Sequence, residues 1–269
     1  MKVYCNGNLC DRDKLGEVFE PGFLFGWGNF EVLRSYKKKI PFLDLHIRRL
    51  NSSLELLGLE EVNLGWEKEI KNLLFENNLK DAYVRITTYK KRKGTGTLIY
   101  ADKFAYYTSE TYEKGFTAII SPHQRMINDI NTKIKSLSYA NNRVSWFCAQ
   151  KKGKDEALVL NHQGFLVGGS RSNLFLVKDK EVITPSGGSG AFRGITKQVI
   201  FRILKDLDIK IREEKVTLED LYSCQEAFIS SALMEAMPLV ECESKLLGNG
   251  KPGEITLKVL SKYREVVHG

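Results

Sequence analysis

The sequence predicts an α+β protein of two subdomains, and three observations carry that reading. Segments with the period-two alternation of strands and segments with apolar residues at helical spacing are mixed along the chain without strict βαβ order. A polar run, Ser109-Glu110-Thr111-Tyr112-Glu113-Lys114-Gly115, separates a first half from a second that reopens on an apolar strand. The 269 residues suffice for two modest cores. The expected division is 1–108 for a small N-terminal domain, 109–115 for the linker and 116–269 for a larger domain.

In the first half, residues 3–9 read as a strand broken at Asn6-Gly7, a hairpin signal. Residues 30–36 read as a strand. Leu43, Ile47, Leu50, Leu54 and Leu57 follow at helical spacing, with Gly58 as a stop, and this helix carries His46 and Arg49 one turn apart. Trp66, Ile70, Leu73 and Leu74 mark a second helix. Alternation over 82–89 sets Tyr83, Arg85, Thr87 and Tyr89 on one face of a strand, and further strands are expected at 97–100 and 104–108. In the second half, strands are expected at 116–121, 157–160, 165–167, 173–177, 181–184 and 227–231. Helices are expected at 141–151, from about Thr196, after the capping box at Thr217, and at 255–267.

Composition excludes several classes. Apolar residues make up 42% and charged residues 28%, and no apolar run approaches the roughly 20 residues that cross a bilayer. The N-terminus has a lysine but no apolar run behind it, so no secretory signal is expected. Five scattered cysteines without a C-x-x-C pair suggest neither a zinc site nor a disulfide framework, and a cytoplasmic location is expected. The formal charge of +8 is spread along the chain, its densest run being Lys90-Lys91-Arg92-Lys93, which reads as a solvated face or as attraction for anionic ligands. Nucleic-acid binding is not expected.

Common catalytic patterns are missing: no G-x-S-x-G, no Walker loop, no H-E-x-x-H and no G-x-G-x-x-G after a strand. The four histidines lack ligand spacing, so no metal is expected. One segment stands out physically. The glycine-rich run from Pro185 to Thr196 leads straight into a helix, whose free N–H groups and dipole suit an anion such as phosphate. Taken alone, the run reads first as a flexible loop with Thr196 as a simple cap.

Several separated stretches, in order, resemble class IV (fold type IV) pyridoxal 5'-phosphate (PLP) enzymes over nearly the whole chain. They are GFLFGWGNFEVLRSY from Gly22, HIRRL from His46, KIKSLSYANN from Lys133, GFLVGGSRSNLFLV from Gly164 and FRGITKQVI from Phe192. The family includes D-amino-acid and branched-chain aminotransferases and 4-amino-4-deoxychorismate lyase. The resemblance implies PLP as cofactor, a homodimer, and a larger β-barrel-like domain with flanking helices. It makes Lys135 the lysine that bonds the cofactor and shuttles a proton. It makes Arg49, Gly194, Ile195, Thr196 and Ser231 phosphate ligands, with Ala232 replacing a threonine common in aminotransferases. Phe30, Glu31, Arg85 and Tyr139 fall where the family lines its substrate pocket, Arg85 being suited to a carboxylate. By itself Arg85 reads equally as an exposed strand residue.

Two positions depart from the family pattern. Gly168 stands where a glutamate usually meets the pyridine nitrogen, which leaves another acid, an unprotonated ring or lost turnover as the possibilities, with Arg171 near by in sequence. Trp27 stands where a small or acidic residue is usual. Residues 226–240 resemble the lyase version and Tyr83-Val84-Arg85 the branched-chain enzymes. Amino transfer between an amino acid and a 2-oxo acid is the leading expectation. Release of pyruvate and 4-aminobenzoate is the second, and a PLP-binding protein without turnover the third.

Overall fold

The computed structural model describes residues 1–104 and 107–269. It opens on a hairpin of β1 (Lys2–Cys5) and β2 (Asn8–Asp11), turned by Asn6 and Gly7, both at positive φ, as the Asn-Gly signal requires. A short helix α1 (Pro21–Phe25) precedes β3 (Gly28–Ser35). Helices α2 (Leu43–Leu56) and α3 (Trp66–Glu76) lead to β4 (Ala82–Lys90) and β5 (Thr95–Lys103). The order β3-β4-β5 makes an antiparallel three-stranded sheet. Its alternation is strict: Ala82, Val84 and Ile86 are buried against Leu50 of α2 and against Trp66, Ile70 and Leu74 of α3. Tyr83, Arg85 and Thr87 take the other face.

The segment expected as the linker is the helix α4 (Ser109–Lys114), closed by a capping box at Thr108. The strand expected at 104–108 includes Ala105 and Tyr106, which lie outside the described residues. The second half starts with β6 (Phe116–Ile120), α5 (Ile130–Lys133) and α6 (Ala140–Lys151). It continues through β7 (Glu156–Leu160), β8 (Leu166–Gly169), β9 (Asn173–Lys178) and β10 (Glu181–Pro185). Next are α7 (Ile195–Asp206), β11 (Ile211–Glu214), α8 (Leu218–Ser223), β12 (Glu226–Ser231) and β13 (Glu235–Cys242). The short β14 (Lys245–Leu246) and α9 (Glu254–His268) close the chain.

These strands form one curled, half-barrel sheet of order β11-β10-β9-β12-β13-β6-β7-β8, with β14 on β13. Apolar side chains of α7 and α9, among them Ile200, Ile203, Val259 and Leu260, cover it and join Phe175 and Phe228, whose rings stack 4.6 Å apart. No strand was expected over β13. Pro238 sits inside this central strand, opposite Phe228 of β12, and a proline has no N–H to donate to a ladder. The register on the β6 side shifts between Leu239 and Glu241, so the strand runs past its proline on an irregularity.

Two features tie the halves together. The backbone around Lys135 lies along β3: Phe30 N–H donates to Lys135 O at 2.8 Å and Leu137 N–H to Gly28 O at 2.9 Å. Buried Glu235 accepts from Arg34 of β3 (3.0 Å), from the Tyr36 hydroxyl (3.1 Å) and from Arg264 of α9 (2.8 Å). Replacing it strands Arg34 in a poorly hydrated place, while Arg264, 39% exposed, keeps access to water. Glu235→Ala is expected to lower unfolding free energy by about 3 kcal/mol, measured by urea titration; a change under about 1 kcal/mol would show that the arginines re-solvate.

Candidate active site

Between the two sheets lies a cavity of about 260 Å³. Its walls include Phe30, Arg49, Arg85, Lys135, Tyr139, Gly194, Ile195, Thr196 and Ser231, nine of the ten residues that the sequence singles out. The tenth, Glu31, is elsewhere. Its side chain lies wholly beneath the wall, where it receives Arg49 Nε and Nη2 at 2.7 and 2.6 Å and meets His46 Nδ1 at 2.7 Å. In a strand, neighbours face opposite ways, so Phe30 and Glu31 cannot both line one pocket. The expected substrate contact of Glu31 is corrected to that of a positioning residue. Burial pushes its carboxyl upward, but the Arg49 charge and the donors from Arg49 and His46 outweigh this and hold it at about 2.

Lys135 enters from the segment beside β3. Its stem is half-buried at the wall, and its Nζ lies 4.9, 5.4 and 5.9 Å from the ring centres of Phe30, Phe192 and Tyr139. Burial lowers its pKa to about 8, Arg49, Arg85 and Arg125 adding repulsion and Glu31 opposing it. A neutral amine is the nucleophilic form. The rate at which apoprotein captures an aldehyde on Lys135 is therefore expected to rise with pH around a midpoint of about 8, followed by absorbance in stopped flow. A midpoint near the ordinary lysine value of about 10.4 would contradict this environment.

The first turn of helix α7 opens on the cavity. Helix α7 begins at Ile195 with Gly194 as its N-cap, and no side chain caps it. Thr196 is therefore inside the first turn rather than the cap. Gly194 is required because a Cβ there would run into the Asn173 amide, which donates to Phe192 O at 2.7 Å. Ser231 Oγ is turned back on its own chain, accepting from Met234 N–H at 3.2 Å. Its neighbour Ser230, also on the wall, has a buried hydroxyl with no hydrogen-bond partner. Ser231, accepting there, keeps its own hydroxyl hydrogen to donate, and Ser230 adds a second, unpaired hydroxyl. Arg49 adds an Nη1 that donates to Arg193 O at 3.0 Å.

Arg85 is no stray surface charge. It lines the cavity, its guanidinium 3.9 Å from the centre of the Phe30 ring, and its Nε donates to Thr87 at 3.1 Å. The charge of the walls is one-sided: Arg49, Arg85, Arg125, Lys135, Arg143 and Arg171 face the cavity, and no aspartate or glutamate does. Arg125, Arg143 and Ser230 were not singled out from the sequence, and Phe192 only as part of the FRGITKQVI stretch; the fold brings their side chains in. Arg143 and Arg171 stack on opposite contacts of Trp146, at 4.6 and 4.8 Å. Trp27, the second departure, donates from Nε1 to Leu57 O at 3.0 Å and is absent from the wall.

The backbone accounts for Gly168. Val167 and Gly168 bulge against Val159, Gly168 has φ +130°, and a Cβ would meet Ser172 O at 2.7 Å. Grafting a glutamate there thus requires the strand to move. Among the described residues no cluster of acids, histidines or cysteines could hold a metal, and no helix is long and apolar enough to cross a membrane.

Residues 28–242 match the family model for amino-transferase class IV. The chain belongs to the class IV aminotransferases. Within that family it is 33% identical, over 99% of its length and 96% of the relative's, to a Methanocaldococcus jannaschii protein named, provisionally, a branched-chain-amino-acid aminotransferase. It is 29% identical, over 99% and 98%, to a D-alanine aminotransferase of Staphylococcus epidermidis. The crystal structure of Escherichia coli branched-chain amino acid aminotransferase superposes with a TM-score of 0.86 at 26% identity, covering 97% of this chain and 92% of that one. As a member of the family the protein is a PLP-dependent transaminase.

Proposed function

We propose that this class IV aminotransferase moves the amino group of an aliphatic amino acid to a 2-oxo acid, with PLP held on Lys135. The carrying observation is the amine of Lys135, lowered to about 8 and set in a cavity that also holds the open first turn of α7 and Arg85, which makes no ion pair among the described residues. The residues fit the cofactor: Arg49, the first-turn amides of Ile195 and Thr196 and the partnerless Ser230 hydroxyl match a phosphate, beside an amine able to bond an aldehyde. PLP supplies an aldehyde that takes up the amino group and a ring that draws electrons from the carbon beside it.

The chain's own groups do the rest. Neutral Lys135 Nζ is placed to take the proton from the substrate Cα and to return it to the carbon on the far side of the amino nitrogen, two bonds away. Arg85 pairs with the substrate carboxylate. Phe30, Val32, Tyr83 and Leu233 offer the side chain an apolar wall that keeps water from the reacting carbon. Tyr139 stays protonated, its pKa pushed up to about 12 by burial and by the charge of Glu156.

Phe23 and Phe25 of α1 are 66% and 72% exposed, beside a 41%-exposed Trp27, a patch that supports a homodimer and is read by sedimentation. The five cysteines are all free, which supports a reducing, cytoplasmic setting. The deciding assay offers the PLP-loaded enzyme L-leucine, L-valine or D-alanine with 2-oxoglutarate. Glutamate formation from a branched-chain donor is expected; 4-aminobenzoate released from aminodeoxychorismate without it would overturn the proposal in favour of the lyase.

A further inference from the structure

The wall of the cavity holds six cations and no carboxylate, and the acids near it are spoken for. Glu31 is saturated by Arg49 and His46. Glu156, fully buried behind the wall, accepts from the Ala157 and Ser170 amides and from the Ser170 and Ser172 hydroxyls. Asp129, in an adjoining recess, caps α5 by accepting from Asn131 N–H at 2.7 Å. None of the three faces the cavity with a free oxygen.

Arg125 is the opposite case. It has no ion-pair partner among the described residues, and its nearest acceptor is Gly190 O at 3.5 Å. It lines both the cavity and the recess, close enough to Lys135 and Tyr139 to repel the one cation and to stabilise the other's phenolate. Its place follows from the sheet. Arg125 is bridged to Asn161, just past the end of β7, and reaches Gly190 O, next to Ala191. Ala191 packs with Val159, the partner of Gly168, so Arg125 lies on the side of the sheet to which Val159 points.

In PLP the ring nitrogen is para to the carbon that bonds a lysine, so it points away from that lysine's attachment. Besides neutral amides and hydroxyls such as those of Asn131, Asn142, Ser170 and Ser172, the described wall offers it cations and no carboxylate. A guanidinium has five N–H donors, accepts nothing and stays ionised, so it pairs with a free-base nitrogen and repels a proton from it. We propose that the ring nitrogen of the cofactor is met by Arg125 and remains unprotonated. This rests on PLP being the resident cofactor. The consequence is a ring that draws electrons less strongly, which places more of the proton transfer on Lys135 and lets less charge accumulate on the substrate, as suits amino transfer more than elimination.

The test uses holoenzyme loaded with PLP carrying 15N in its ring and reads the nitrogen's chemical shift across pH. Wild type is expected to show the free-base shift down to the lowest pH at which the protein stays folded. Arg125→Glu is expected to move it to the pyridinium range, and Arg171→Gln to leave it in place. If Arg125→Glu does not fold, Arg125→Gln serves, with the nitrogen protonating at a higher pH than in wild type. A pyridinium shift in wild type at neutral pH overturns the proposal. So does a wild-type shift that no Arg125 variant moves, or one that Arg171→Gln moves as far. A different failure, no covalent adduct on Lys135, would sink the cofactor reading instead.

Discussion

Lys135→Ala is expected to lower transaminase turnover by about 10⁴-fold, the upper end of what one proton-transferring side chain supplies. It is also expected to abolish any PLP adduct that borohydride can trap. Stability should not fall. Lys135 makes no ion pair among the described residues, and Arg49, Arg85 and Arg125 all disfavour its charge. Removing a repelled cation relieves the cavity, so the apoprotein's melting temperature is expected to stay or to rise. That combination, lost chemistry with kept stability, separates a reacting amine from a structural one. Trapped adduct on another lysine, or turnover within about tenfold of wild type, would place the chemistry elsewhere.

Arg49→Ala should do the reverse and damage both fold and site. Glu31 is buried with Arg49 and His46 as its partners, and His46 is itself disfavoured as a cation by burial. Truncating Arg49 leaves a carboxylate with one weak partner, at an expected cost of about 3 kcal/mol in urea unfolding. Affinity for PLP is expected to fall about tenfold or more as a charged hydrogen bond to the phosphate goes, worth roughly 1.5–3 kcal/mol. The two losses can be split. In Arg49→Met with Glu31→Gln the stranded charge is gone, so stability should return while PLP affinity does not. Acid provides an independent check. Because Glu31 titrates near 2 when folded and near 4.5 when unfolded, its contribution is complete above about pH 4.5 and is lost as pH falls toward 2. The double variant should lack that part of the acid transition.

Much of this was legible in the residues. Asn6-Gly7 named its hairpin, residues 82–89 named both faces of β4, and the capping box at Thr217 opened α8. What local pattern hides is tertiary. The strand at the centre of the large sheet went unread: Pro238 interrupts it, and the shift that accommodates the proline is visible only once β6 is in place. The charged β11, Ile-Arg-Glu-Glu, lies at the sheet edge and has no apolar alternation to betray it. Nine pocket residues were identified from motifs, but Glu31 was assigned to the wrong side of the wall, and the unpaired hydroxyl of Ser230 beside Ser231 was not singled out. Arg125 lies far from any motif, and its part depends on a bridge to Asn161 that no spacing announces.

A chamber walled by like charges is under pressure when nothing fills it. Its dianionic occupant relieves that pressure, so folding and vitamin supply become one equilibrium: at a free concentration a hundredfold above Kd, occupancy adds about 2.7 kcal/mol of stability. Chains made when PLP is scarce would carry their full repulsion and unfold more often. The lifetime of the protein would then track the nutrient it uses, with no regulator other than electrostatics.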